Sequence, residues 1–315
     1  MKLPKRLAEI LKKRTASLDE LRDGLEKSTI RLQSRLFEKI VEDIILELQL
    51  KDGVILDNSH NYRLISKLEK VYETFNIKII ETLLPQVNKG ITEIVKVTNN
   101  YFKATLINNL PARFERILEG ARVLTDLRVG LRMGKMIRGG NIMSMLKIDP
   151  AELKQLLSKA VTSQMDRKEF LKIIKENING TDDKIGSLER QFQRYTYDTY
   201  QQYDRAYNAK LAEEFGYTYF VYQGGLIKDS RDFCAAHNNK VWSKEEAEEW
   251  DEWTPSKGDY PEGYEVKQKD IYSVPSYLGY PGYDPLTDAG GPRCRHILSF
   301  IPDDIAFEMR PELRK

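Results

Sequence analysis

Gly216-Tyr-Thr-Tyr-Phe-Val-Tyr-Gln-Gly-Gly225 is where the helical pattern of this chain stops. Its core, Tyr217 to Tyr222, is aromatic and β-branched and is bounded by glycines, the signature of a strand. Everything upstream repeats its apolar residues at helical spacing, and everything downstream is short and broken. The fold class follows: mainly α, with a long N-terminal helical bundle or hairpin before a small α+β C-terminal module.

Working backward from that strand, residues Ser187 to Glu214 form a long amphipathic helix closed by Gly216. Tyr200, Tyr203 and Tyr207 share one of its faces, which is expected to pack against the 217–222 strand, with a base-stacking platform as the other reading. Asp166-Arg-Lys-Glu169 and Asp149-Pro-Ala-Glu152 have the order of helix starts. Further back, Leu64, Leu68, Val71, Phe75, Ile79 and Leu83 form a stripe that Pro85 is expected to end. A third helix is expected over Val87–Asn109, and Pro111 opens a fourth. Asp52-Gly53 is a turn. Leu18, Leu21, Leu25, Leu32 and Leu36 form the first stripe, behind a capping-box pattern at Ser17-Leu-Asp-Glu20. The helical region is taken as residues 1–184 and the module as 185–315.

Working forward, Ser243-Lys-Glu-Glu246 caps a short helix. Residues 254–292 hold six of the 12 prolines, six of the 19 glycines and six tyrosines, so they form a long loop rather than a helix. His296-Ile-Leu-Ser-Phe-Ile301 returns to strand character.

The chain is 41% hydrophobic and 31% charged, with a formal net charge of +2, so its overall charge makes no case for nucleic acid. No stretch approaches the roughly 18 unbroken apolar residues of a membrane span, nor a signal peptide, and synthesis in a cytoplasm is expected. There is no GxxxxGK[ST] loop, no GxSxG elbow and no HExxH. Arg128, Arg132, Lys135 and Arg138 lie in a glycine-loosened basic stretch, 113–147. They are DNA-contact candidates, because lysine and arginine release counterions condensed on phosphates. A solvated helix face is the plainer reading.

Both cysteines and two of the three histidines fall in two short stretches, Asp229-Ser-Arg-Asp-Phe-Cys234-Ala-Ala-His237 and Gly290-Gly-Pro-Arg-Cys294-Arg-His296. Thiolate and imidazole are the usual ligands of structural zinc. Cys234 and His237 lie on one side of a helical turn, and Cys294 and His296 on one face of an extended segment. Together they supply four ligands and leave no open position. A reducing compartment favours metal over a disulfide. A Cys234–Cys294 disulfide and a metal-free hydrogen-bonded cluster stay open. His60, in Asn58-Ser-His-Asn61, is ordinary turn chemistry. A metal-dependent nuclease built on His237-Asn238-Asn239 with Asp229 and Asp232 lacks a second histidine and a carboxylate cluster.

The order of these motifs is specific. A helix with Arg205-Ala-Tyr-Asn208 leads to Tyr219-Phe-Val-Tyr222. Asp229-Ser-Arg231-Asp-Phe-Cys234 follows, then Lys240-Val241 after a short turn, the proline/glycine-rich loop, and Gly290-Gly-Pro-Arg-Cys294-Arg295-His296. Over roughly residues 185–302 this resembles the C-terminal module of phage Mu F-like head morphogenesis proteins, minor capsid proteins of tailed phages. The chain departs from that pattern at Asn239, where a glycine commonly precedes the lysine, and at Cys234-x-x-His237, where some branches carry Cys-x-x-Cys.

The resemblance implies a non-enzymatic, low-copy virion protein on the portal or capsid interior, acting in head assembly, DNA packaging or ejection. Portal or other head proteins, and packaged double-stranded DNA, would be its partners. Asp229 and Arg231 would fix the loop before Cys234 by a charge-assisted hydrogen bond. The alternatives are a nuclease acting on phage DNA and a DNA-binding module with no structural role.

Overall fold

The structure, a computed structural model, describes residues 5–106, 111–137, 148–181, 183–228, 230–267, 283–291 and 294–314. In chain order its elements are α1 (Lys5–Ile40), continued by a π-helical turn (Val41–Ile45), then β1 (Leu50–Lys51), β2 (Val54–Ile55), α2 (Ser59–Thr105) and α3 (Phe114–Ile137). α4 (Ala151–Thr162), α5 (Arg167–Asn179), β3 (Gly180–Thr181), β4 (Lys184–Ile185) and α6 (Ser187–Phe215) follow. The module adds β5 (Tyr219–Gln223), α7 (Asp232–His237), β6 (Lys240–Ser243), α8 (Lys244–Glu248), α9 (Pro285–Asp288), β7 (Ile297–Ile301) and α10 (Asp303–Met309). The mainly helical class is as expected, with the short strands concentrated toward the C-terminus. Among the described residues no helix is long and apolar enough to cross a membrane.

The chain divides into two compact units, one of residues 1–21, 90–134 and 197–315 and one of 22–89 and 135–196. These interleave along the chain, whereas the sequence reading divides it once, after residue 184.

The second unit is an antiparallel helical hairpin with helices α4 and α5 added. Leu25, Leu32 and Leu36 of α1 are buried, as are Leu64, Leu68, Phe75, Ile79 and Leu83 of α2. Ser28 Oγ donates to Gln86 Oε1 at 2.8 Å across the hairpin. The β1–β2 turn uses Asp52 at φ 53° and Gly53 at φ 84°, the pairing a tight hairpin demands. Asp166 caps α5 by accepting from Lys168 and Glu169 N–H.

Two sequence expectations fail here. α2 does not end at Pro85 but runs through it, and the expected third helix is its second half. Buried Leu83 and Val87 flank the proline, so the apolar stripe is continuous across it. That burial offsets the roughly 3 kcal/mol that a mid-helix proline costs. Likewise α1 begins well before Ser17, so no capping box forms there. Leu11, Arg14, Leu18 and Leu25 are one uninterrupted buried face, and packing overrides the local start signal.

The first unit is built on a three-stranded antiparallel sheet in the order β6-β5-β7. Val221 of β5 stands opposite Val241 on one side and Ser299 on the other. β7 is buried along its whole length. Gly216, at φ 73°, turns the chain from α6 into β5. Two hydroxyls of the tyrosine face of α6 point away from the strand that the spacing suggested. Tyr203 Oη donates to Asp126 Oδ1 at 2.6 Å, and Tyr207 Oη to Asn99 Oδ1 at 2.7 Å, toward α3 and α2. The sheet instead receives Asn208, whose amide donates to Leu298 O of β7.

A buried ion pair ties the start of α1 into this unit. Arg14 Nη2 lies 2.6 and 2.7 Å from the carboxylate oxygens of Asp204 on α6, and Nη1 donates to Ser299 Oγ of β7 at 3.1 Å. Thr98 of α2 donates to the same carboxylate at 3.3 Å. Tyr101 Oη donates to Phe300 O beside it.

Candidate metal centre

α7 is a short helix directly after the loop that leaves β5, and it carries Cys234 inward. Its first residue, Asp232, is buried and accepts from Tyr264 Oη at 2.8 Å and from the Lys267 amide at 3.1 Å, which fixes the loop passing over the helix. Arg231 Nη1 donates to Gly290 O at 3.1 Å, so it does hold a loop, though the one before Cys294. Asp229 lies outside the described residues.

Cys294 and His296 come from the opposite side, on the segment entering β7. That segment is held by Arg205 of α6, which is 1% exposed. Its Nε donates to His296 O, its Nη1 to Thr287 O and Asp288 O, and its Nη2 to Cys294 O and His296 O, over 2.6–3.2 Å. These five contacts, among the described residues, go to main-chain carbonyls, so the guanidinium sets the path of the loop. Gly290 completes the arrangement: a Cβ there would sit 2.7 Å from Cys234 Sγ, 3.0 Å from Tyr222 Oη and 3.1 Å from Cys294 Sγ. Only a residue without a side chain leaves room for the two sulfurs.

The result is a buried cluster of Cys234, Cys294 and His296, whose ligand atoms lie within 4.8 Å of one another. The sulfurs are 3.9 Å apart, and Cys294 Sγ is 3.8 Å from His296 Nδ1. Both thiols are free, and the disulfide alternative is not realised, since that bond is about 2.05 Å long. Tyr222 Oη lies 3.4 Å from Cys234 Sγ and 3.3 Å from Cys294 Sγ. His296 Nε2 is buried with no hydrogen-bond partner among the described residues. Among the described residues Nδ1 faces only Cys294 Sγ, so an ion bound there would give that nitrogen a stronger partner.

The electrostatics favour one thiolate. Burial raises Cys294, but the hydrogen bond from Cys234, the Arg205 guanidinium and His296 outweigh it and hold the thiol well below its ordinary value. Cys234 is pushed the other way by its hydrogen bond with Cys294 and by burial. The two sulfurs therefore titrate as a pair, with Cys294 the one that yields its proton more readily.

Of the four ligands expected from sequence, the structure gathers three. His237 Nδ1 donates to Phe233 O at 2.7 Å, one helical turn back. Its ring is stacked on Phe233 at 3.9 Å and on Trp242 at 4.5 Å, with Trp250 and Trp253 edge-on. Burial lowers its pKa to about 3, so it stays neutral in this aromatic cage. Arg128, Arg132 and Lys135 fall on α3 with side chains outside the described residues, and Arg138 lies outside them altogether.

Arg205, Tyr222 and Gly290 also border the cluster, although no site role was expected of them from the sequence. A charged pair, Asp204-Arg205, inside a tyrosine-lined helix face was the available signal. No protein-family model, no curated protein and no solved structure matches this chain.

Proposed function

We propose that this chain is a minor head protein of a tailed phage, related to the Mu F-like head morphogenesis proteins. It would act in low copy number at the portal or capsid interior, in head assembly, DNA packaging or ejection. One observation carries the reading. The residues on which the resemblance rests, Arg205, Asn208, Tyr222, Cys234, Gly290, Cys294 and His296, are spread along the module yet serve one cluster and the strand beside it. The departure at Asn239 also fits: it takes φ 59°, the left-handed conformation that glycine adopts freely and asparagine tolerates best among other residues.

In this reading Cys234, Cys294 and His296 hold a zinc ion, whose contribution is cohesion of the module rather than chemistry. A tetrahedral zinc with bonds of about 2.3 Å to sulfur and 2.0–2.1 Å to nitrogen has edges of about 3.8 Å between sulfurs and 3.6 Å from sulfur to nitrogen. The observed 3.9 and 3.8 Å fit those edges. The three ligands are at most 4% exposed, which suits a closed structural site. His237 and Asp232, on which the nuclease alternative is built, are 1% and 0% exposed and leave a phosphodiester no approach, which weighs against that alternative. Portal and other head proteins are the proposed partners, with packaged double-stranded DNA as a further contact of the basic stretch.

The test is quantitative mass spectrometry of purified virions of the phage that encodes the chain. A few copies per particle, retained when the DNA is emptied, are expected. Absence from both virions and assembly intermediates would overturn the proposal. Cleavage of plasmid with Mg²⁺ or Mn²⁺, abolished by His237→Ala, would replace it with the nuclease.

A further inference from the structure

Resting on the zinc reading, we propose that the fourth ligand of the centre is the phenolate oxygen of Tyr222. A Cys₂His triangle leaves one corner of a tetrahedron open, and a corner occupied by oxygen lies about 3.5 Å from each sulfur when zinc–oxygen is about 2.0 Å. Tyr222 Oη stands 3.4 and 3.3 Å from the two sulfurs. The triangle's third side, from Cys234 to His296, is at most 4.8 Å, against about 3.6 Å in a loaded site.

The tyrosine is placed for this by the sheet, not by the cluster. Its main chain is locked in the central strand, opposite Lys240 and Leu298, and its carbonyl accepts from the Asn239 amide at 2.7 Å. Its ring stacks on His296 at 4.7 Å and meets Phe233 and Trp250 edge-on at 5.9 and 5.6 Å. The phenol is wholly buried, and among the described residues its hydroxyl bonds no group but the two sulfurs. A buried tyrosine ordinarily gives its hydroxyl to oxygen or nitrogen, and sulfur is a weak acceptor. Aiming that hydroxyl between two thiols is poor use of a hydrogen bond and good placement of a ligand. His237, the ligand expected from sequence, is not among the ligand atoms that lie within 4.8 Å of one another.

Loading forms two zinc–sulfur bonds, one zinc–nitrogen bond and one zinc–oxygen bond. It releases the remaining thiol protons and the phenol proton to solvent, and no electron is transferred.

The experiment titrates the full-length, reduced, metal-free protein with Zn²⁺ and, separately, with Co²⁺. The expected result is one ion per chain, a tetrahedral cobalt spectrum with sulfur charge-transfer bands, and a tyrosinate signature in the ultraviolet difference spectrum with zinc. Tyr222→Phe should bind at least about tenfold more weakly, the smallest loss usual for groups supporting a metal, and should lack the tyrosinate signature. Far-ultraviolet circular dichroism checks that this variant is folded. Stoichiometric binding by the wild-type chain without a tyrosinate signature would overturn the fourth ligand and leave the zinc reading intact. No binding by the wild-type chain would overturn both.

Discussion

Replacing Arg14 by methionine removes the cation from a carboxylate that has almost no other support. Asp204 is fully buried, and after the loss of two contacts at 2.6 and 2.7 Å its other donor among the described residues is Thr98 Oγ1 at 3.3 Å. Breaking a buried pair in this way costs about 3–5 kcal/mol, because the surviving charge is left desolvated. For a unit of this size that is a fall in melting temperature of about 6–20 °C. All three tryptophans, Trp242, Trp250 and Trp253, belong to the same unit, so urea unfolding followed by tryptophan fluorescence reads the effect directly. The double variant Arg14→Met/Asp204→Leu should recover most of the loss, since an apolar pair of similar volume replaces a buried ion pair at little or no cost. A double variant as unstable as the single one, or a single loss below about 1 kcal/mol of the kind surface pairs give, would refute the reasoning.

Gly290→Ala brings a methyl group to 2.7 Å from Cys234 Sγ. It should cost about 1–3 kcal/mol and lower the zinc content per chain, measured by thermal unfolding and elemental analysis. Because burial lowers the pKa of His237 from 6.5 to about 3, the unfolded chain binds a proton across that window that the folded chain does not. Its contribution to stability is therefore fully present above pH 6.5 and falls as pH drops toward 3. His237→Gln should flatten that acid slope in urea titrations at a series of pH values, and an unchanged slope would exclude His237 as its source. Pro85 is exposed within α2, so Pro85→Ala should stabilise the protein by up to about 3 kcal/mol in the same unfolding assay.

Local periodicity carried the helices, and it failed only where a neighbour outweighed a local signal. Pro85 and Ser17 both read as breaks, yet each lies in a helix whose buried apolar face runs on past it, and packing keeps the helix going. The strand at 217–222 was legible because aromatic and β-branched residues between glycines have few other uses, and it appears as Tyr219–Gln223. The cluster was legible in part, since four scarce side chains in two short stretches pointed to one place. His237 departed because helical spacing fixes a side of the helix but not which neighbours claim the ring. Arg205 and Arg14 could not be assigned from the chain. Arg205 acts on carbonyls up to 91 positions away, and Arg14 on a carboxylate 190 away, and no local pattern encodes either distance.

The bond between Arg14 and its partners sets a timetable for synthesis. The ribosome releases the cation first, its carboxylate much later, and Ser299 of the last strand later still. The hairpin of residues 22–89 can pair while translation continues, because both of its arms are made long before β7. The sheet unit has to wait for β7, and until then α1 carries an unmatched charge on an otherwise apolar face. A chaperone that shields this helix in the nascent chain would therefore be acting on the slowest-completed part of the molecule, although that part includes some of the first residues made.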